Sequence, residues 1–512
     1  VTPALALMLG LAVGIDYSLF ILNRHRLQLA QGMAVRDSIA LATGTAGNAV
    51  TFAGATVIIA LAALTVTGIP FLGTMGLVAA GTVAVAVVAA VTLTPALLSL
   101  LGDRGLPARQ RARLTRTGGA HTVRGWAALV QRRPWPAILG AVVVTGVLAS
   151  PAPQLQLGLP DGGQEPADST AYRTYDLIRD NFGAGANGPI IAVATLDEPA
   201  EDEAALTATQ LDVAEDLQQV DGVRYVVPFG TSEDGSTLAF QLMPQGGPSD
   251  ESTVELVDEL DSRADRLGAE HGVDLGFTGQ TVANIDISAQ LGDVLPTYLL
   301  IVIGLSLVLL LLVFRSVWVP LLASAGFLLS VLAAFGGVVA TYQLGIGAGI
   351  FGVNEPGPVL SFLPILLIGV LFGLAMDYQL FLVSAMREAH VHGEDARSAV
   401  VTGFNQSARV VTAAAIIMVS VFGGFVFAEM AMIRPIGFGL ALGVLVDAFV
   451  VRMTLTPVVL SLLGERAWWL PRWLDRALPN VDVEGARLER SLGHAGEGEP
   501  RQPAGSVAVP RR

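Results

Sequence analysis

The chain has 512 residues, 52% hydrophobic and 14% charged, with a mean hydropathy of +0.60, a composition that excludes an ordinary soluble globular protein. It holds no cysteine, which excludes a disulfide framework or thiolate site, and all 30 of its basic residues are arginine. The net charge of −14 is partitioned: 152–293 carries 27 Asp and Glu against 5 Arg, whereas 102–134 is Arg-rich with Asp103 as its one acid.

Apolar runs of 17 or more residues predict nine membrane spans, at 3–22, 48–68, 71–100, 135–151, 294–314, 317–341, 360–384, 408–428 and 433–463. The run at 71–100 is long for one crossing and is expected to extend into the cytoplasm. Arginines follow the first span (Arg24, Arg26), the third (102–134), the fifth (Arg315) and the seventh (Arg387). By the positive-inside rule these ends are cytoplasmic, so the acidic block lies outside and the C-terminus inside. Topology thus accounts for the arginines, and no nucleic-acid partner is needed. The chain opens at Val1, shows no signal-peptide pattern and has an odd span count, so it reads as one that has lost its beginning.

Within the acidic block, 170–182 has helical spacing, followed by a strand at 189–196 and a helix at 204–219. Two strands (V-R-Y-V-V-P-F, then T-L-A-F-Q-L-M), an amphipathic helix at 251–270 and a strand at 273–279 complete an α/β unit of ferredoxin-like, split βαβ type. Trp468, Trp469 and Trp473 read as an interfacial belt, and 485–512 as a disordered tail. The expected organisation is three spans at 1–104, a cytoplasmic loop at 105–134 and one span at 135–151. An external α/β domain at 152–293, a five-span bundle at 294–466 and a cytoplasmic tail at 467–512 follow. In fold class this is a polytopic α-helical membrane protein with a duplicated helix bundle and one external α/β ferredoxin-like porter domain.

Two acidic residues stand where charge is expensive. Asp16 lies in L-G-L-A-V-G-I-D-Y-S-L-F-I-L and Asp377 in G-V-L-F-G-L-A-M-D-Y-Q-L-F-L, each followed by Tyr (Tyr17, Tyr378). A charged side chain at a helix centre costs roughly 2.5–3.5 kcal/mol even on lenient insertion scales. The repetition extends further: T-L-T-P-A-L-L-S-L-L-G-D-R at 92–104 recurs at 454–466, identical at 10 of 13 positions. Residues 1–104 and roughly 362–466 are therefore two copies of one helical unit, a pattern typical of transporters.

On the two Asp-Tyr pairs, G-I-D-Y-S-L-F-I-L-N-R-H-R, G-L-A-M-D-Y-Q-L-F-L-V-S-A-M-R-E-A-H and the paired T-L-T-P-x-x-L-S-L-L-G segments, the chain resembles the MMPL family of the resistance–nodulation–division superfamily across 1–466. The resemblance implies twelve spans and two external porter domains in a complete member, with this chain starting at the fourth span. It implies proton-driven export of lipids, glycolipids or hydrophobic drugs across a bacterial inner membrane, and a monomer or trimer. Asp16, Tyr17, Asp377 and Tyr378 would then form the proton relay, each Tyr reaching across to the partner half. The family often places a Ser or Thr and a basic residue early in the following span. Here the second copy has Arg409 and Thr412 and the first Asn48 and Thr51, with Ala53 where Ser is common.

Asp447, deep in the last span, is a further proton site, or it simply pairs with Arg452 at i+5 or with a neighbouring helix; these readings stay open. Gly10, Gly14, Gly369 and Gly373 serve only close helix approach. His25 and His121 have no partner ligands, so no metal is expected, nor any cofactor, and the absence of a phosphate cradle or nucleophile elbow leaves an enzyme reading without residues. The partners implied are membrane lipids, a hydrophobic substrate and protons. Two alternatives remain: a non-transporting scaffold or sterol-sensing-like receptor, and an accessory motor for protein translocation.

Overall fold

The computed structural model describes residues 1–102, 132–198, 200 and 202–478. Most of the Arg-rich loop, His121 and the tail at 485–512 lie outside these residues.

Among the described residues, nine helices are long and apolar enough to cross a membrane. Helices α1 (Thr2–Ala30), α2 (Val35–Ala62) and α3 (Pro70–Leu101) form the first unit, and α4 (Pro134–Ala149) leads to an α/β domain external to the helical bundle, hereafter the external domain. That domain opens with the short strand β1 (Leu157–Gly158) and helix α5 (Thr170–Phe182), whose first turn is capped by Ser169 accepting from the Tyr172 amide at 3.1 Å. Its body runs β2 (Ile190–Leu196), α6 (Glu203–Gln218), β3 (Val223–Thr231), β4 (Thr237–Pro244), α7 (Glu251–His271) and β5 (Val273–Thr278). The sheet is antiparallel throughout, in the order β3-β4-β2-β5.

Alternation along the strands explains how the sheet is covered. Ile190, Ala192 and Ala194 of β2 and Leu238, Phe240 and Leu242 of β4 face the helices, where Leu217, Leu256 and Leu260 close one core. On the edge strand β3, Tyr225, Val227 and Phe229 fall at period two and are exposed. Pro228 and two register shifts interrupt that edge, which limits pairing with another chain. At the β3–β4 turn, Asp234 accepts from the hydroxyls of Ser232 and Ser236 at 2.6 and 2.8 Å, which holds its carboxyl down at about 2.

The span expected at 294–314 is the inner part of a longer helix, α8 (Gln280–Phe314), about 52 Å long at 1.5 Å per residue. Its first turns carry Gln280, Asn284 and Asp286 and so show no apolar run, yet Val282 is buried in the core of the external domain. One helix therefore joins domain and membrane. Helix α9 (Trp318–Val338), the short α10 (Ala348–Phe351) and strand β6 (Val359–Leu360) lead to α11 (Leu363–Val391). Helices α12 (Ala396–Phe425) and α13 (Ile433–Leu445), a π-helical stretch over Val446–Leu455, α14 (Thr456–Leu463) and the short α15 (Arg472–Ala477) complete the chain. Trp469 and Trp473 are exposed, but Trp468 leaves the expected belt and stacks on His390 with ring centroids 5.6 Å apart.

Helix α11 is the axis of the bundle, with 94% of its most apolar window buried. Lipid tails are as apolar as leucine, so helices associate through close packing rather than through water exclusion. A Cβ on Gly373 would lie 2.7 Å from Val57 of α2, and one on Gly369 would lie 2.6 Å from the Tyr298 hydroxyl of α8. That hydroxyl donates to the Ala60 carbonyl at 3.0 Å, tying α8 to α2. Gly373→Ala should thus lower the thermal midpoint in detergent by the equivalent of about 1–3 kcal/mol of overpacking. Gly304→Ala, where a Cβ meets nothing within 4 Å, should leave it unchanged or raise it slightly through helix propensity. Equal midpoints for the two variants would contradict the close α2–α11 approach.

Candidate functional site

Both Asp-Tyr pairs lie in the interior, between the two helical units. Asp16 and Tyr17 on α1 are 2% and 0% exposed, and Asp377 and Tyr378 on α11 are 1% and 2% exposed. The Tyr17 hydroxyl donates to Asp377 Oδ2 at 2.6 Å, joining residues 360 apart in the chain. On the other side, the Tyr378 hydroxyl donates to Met418 Sδ at 3.4 Å and also faces the Asp16 carboxylate. Each tyrosine is thus turned towards the aspartate of the other unit, and Tyr17 is bonded to it. Phe20 caps the arrangement, stacked on Phe381 at 3.8 Å and tilted against Tyr378 at 6.0 Å.

Local sequence explains the placement. Adjacent residues on a helix point about 100° apart, so an Asp-Tyr step aims its carboxylate and its phenol at different neighbours. Gly54 lets α2 pass close by: a Cβ there would meet Val87 of α3 and lie 3.6 Å from the Tyr17 ring.

A second polar group adjoins the first. Asp447 accepts from Arg452 Nε at 2.5 Å, and Ser330 of α9 approaches the other carboxylate oxygen at 3.5 Å. A π-helical stretch carries both residues, which aligns side chains five apart, and π segments concentrate at functional positions. The Arg452 guanidinium also donates to the Ala375 carbonyl of α11, and its Cζ stands 5.4 Å from the centroid of the Tyr378 ring, within cation–π reach. Of the pairings open to Asp447, the geometry shows the one with Arg452, with Ser330 of the neighbouring α9 beside it. A narrow cavity beside Tyr378, Ser330 and Asp447 has room for about one water.

Satisfaction is incomplete. Among the described residues, Asp16 Oδ1, Asp377 Oδ1 and Arg452 Nη1 are buried without a hydrogen-bond partner. Native proteins leave few such atoms, and each needs an explanation. Here three of them cluster at one site with capacity for a proton or a water.

The other residues singled out from sequence are not gathered here. Asn48, Thr51 and Arg409 are exposed, and Thr412 is half-buried. The Thr51 and Thr412 hydroxyls donate back to Gly47 and Ala408 on their own helices at 2.8 and 2.7 Å. Arg452 is the functional candidate that spacing undervalued. A lone cation in an apolar span was legible as a signal, but the π register that turns it towards α11 was not. Among the described residues, no group of three or more acidic or histidine side chains could hold a metal ion.

Comparison with known proteins agrees with this architecture. The model of the MMPL family matches residues 1–137 and 163–487. "Membrane protein YdfJ" of Bacillus subtilis is 44% identical over 492 residues, covering 96% of this chain and 67% of that protein. "Mycolic acid-containing lipids exporter MmpL11" of Mycolicibacterium smegmatis is 34% identical, covering 93% of this chain and 50% of that protein. "Heme uptake protein MmpL11" of Mycobacterium tuberculosis is 32% identical, covering 95% and 50%. The chain therefore spans between half and two-thirds of the length of these relatives.

Removing Arg452 alone should strand Asp447 as an unpaired buried charge. Arg452→Met should cost about 3–5 kcal/mol of stability, read as a fall in thermal midpoint in detergent. Adding Asp447→Leu should recover most of it. If the single variant is as stable as the parent, the pair is not the buried ion pair described.

Proposed function

The chain belongs to the MMPL family, and on that premise we propose that this multi-pass cell-membrane protein is a proton-driven exporter of lipidic molecules, with Asp16, Tyr17, Asp377 and Tyr378 as its relay. The observation that carries the reading is the cross-unit bond from Tyr17 to Asp377, held at 2.6 Å in the interior. A carboxylate accepting from the opposite unit binds the two units together. A proton arriving on that carboxylate replaces a charge-assisted bond with a neutral one, roughly half as strong, and so loosens the contact. Each proton crossing the membrane releases about 2.3 kcal/mol per 100 mV, enough to bias a two-state rocking of one unit against the other.

Arg452 then acts as the fixed counter-charge. Held by Asp447, it grips α11 at Ala375 and overlies Tyr378, so a change at Asp377 is felt against a stationary cation. We read the β2–β5 body as a ferredoxin-like porter domain whose open face, with Tyr225, Val227 and Phe229, borders the cargo path. A cleft at the outer helix ends combines apolar walls at Leu360 and Met432 with Glu355 and Arg434 at its polar side, an amphipathic lining suited to a headgroup and chain. The relatives' names, one a lipid exporter and one a heme-uptake protein, share an amphipathic cargo. On this reading the C-terminus is cytoplasmic, since Arg24, Arg26, Arg315 and Arg387 mark the inner helix ends.

The test uses the purified protein in liposomes under an imposed pH gradient. Proton entry is read by an internal pH dye and lipid movement by a fluorescently labelled phospholipid. Asp16→Asn and Asp377→Asn should each reduce proton flux at least tenfold with normal membrane insertion, and Tyr17→Phe should reduce it by a smaller factor. Undiminished flux in both Asn variants would reject the relay and favour a non-transporting scaffold.

A further inference from the structure

The segment joining α10 to α11 is hydrogen-bonded to both stalks of the external domain. On the incoming stalk, the Val359 amide donates to the Gln156 carbonyl at 2.8 Å and the Ser361 amide to the Gly158 carbonyl at 3.0 Å, forming the two-residue parallel pair of β1 with β6. Gln343 adds a two-point clamp, accepting from the Gln156 amide at 3.0 Å and donating to the Gln154 carbonyl at 2.6 Å. Further out, Glu355 pairs with Arg179 of α5 at 2.6 Å.

The outgoing stalk, the first turns of α8, is reached by the same residue. Ser361 Oγ lies 2.6 Å from Ser288 Oγ, and Ser288 Oγ donates to the Asn284 carbonyl at 2.7 Å. A hydroxyl has one proton, so Ser361 must be the donor between the two serines. Ser361 is 1% exposed and Ser288 8%, so water does not compete. Backbone and side chain of one residue thus hold both stalks. That residue stands two positions before the start of α11, and Asp377 lies about 21 Å further along the same helix.

We propose that Ser361 is the positioning residue that couples α11 to the external domain, a rigid tie through which any displacement of the Asp377 helix moves both stalks together. The proposal rests on the relay reading for its input, but the tie itself is a statement about which groups travel as one body. A shift of α11 along its axis would carry β6, β1 and the base of α8 with it, and the β2–β5 body would tilt as a unit.

The chain's lack of cysteine makes the test clean. Ser288→Cys/Ser361→Cys is prepared in the full chain with Asp377 intact and again with Asp377→Asn, a mimic of the proton-loaded state, and crosslinked at one fixed pH. The two backgrounds should form the disulfide at rates within twofold of each other. In liposomes the oxidised pair should carry protons at the parent rate, while the reduced pair and Ser361→Ala should be several-fold slower. Crosslinking rates differing more than tenfold, or oxidation that abolishes flux until reductant is added, would show that stalk and helix slide past each other and would overturn the tie. Ser361→Ala with parent flux would overturn it as well. Asp377→Asn with parent flux would condemn the relay instead, and the crosslinking rates would still decide the tie.

Discussion

The structure depends on carboxyl groups held in a medium that cannot solvate them. Placing an isolated charge at the centre of a bilayer helix costs several kcal/mol, and three aspartates share this interior with one arginine. Asp447 takes the arginine, Asp377 takes the Tyr17 phenol of the opposite helical unit, and Asp16 lies beside Tyr378 of the opposite unit. Among the described residues, Asp377 finds its hydrogen-bond donor in the opposite unit. The two copies are thereby made interdependent, and the contact between them is set by groups whose charge can change.

That constraint dictates the packing around it. For a phenol on α1 to reach a carboxylate on α11, the helices between and beside them must approach closely, and glycine is placed where they do. Gly54 admits α3 beside the Tyr17 ring, and Gly373 admits α2 against α11. The Tyr298 hydroxyl, seated over Gly369, closes the same seam by bonding to Ala60. In a lipid setting such van der Waals seams and buried hydrogen bonds supply the association that water would drive in a soluble core.

Much of this was legible in the sequence, and what was not has a physical reason. The duplicated T-L-T-P segments and the apolar runs located the helices, because hydrocarbon thickness imposes a length on any crossing. The repeated Asp-Tyr step announced a shared site. The early turns of α8 were invisible as helix extension because their Gln, Asn and Asp residues interrupt the apolar run without interrupting the helix. The β1–β6 pair was unreadable because two residues carry no periodicity. The hydroxyls of Thr51 and Thr412 matched a family pattern, yet each finds its acceptor on its own helix at i−4, a local bond that needs no partner. The Asp447–Arg452 pairing was one of several readings that the sequence allowed. A straight α-helix separates residues five apart by about 140°, and only the π turn brings them together.

The two units share a pattern but not a role. The position in the first copy that corresponds to Asp447 is Val85, 70% exposed on the outer side of α3, whereas Asp447 is 7% exposed against α9. The counter-charge belongs to the second unit, the cavity beside Tyr378 lies against it, and the hydrogen bonds to the external domain come from the segment just before it. Helix α11 combines the buried Asp377 with the grip of Arg452 at Ala375 and a start beside Ser361. On the proposed relay reading, an element that both receives the proton and is bonded to the external domain needs no further messenger between them. On the same reading, the first unit supplies the surface against which α11 works: Asp16 beside Tyr378, and Tyr17 to hold or release Asp377. Pseudo-symmetry builds the contact, and its breaking gives the contact a direction.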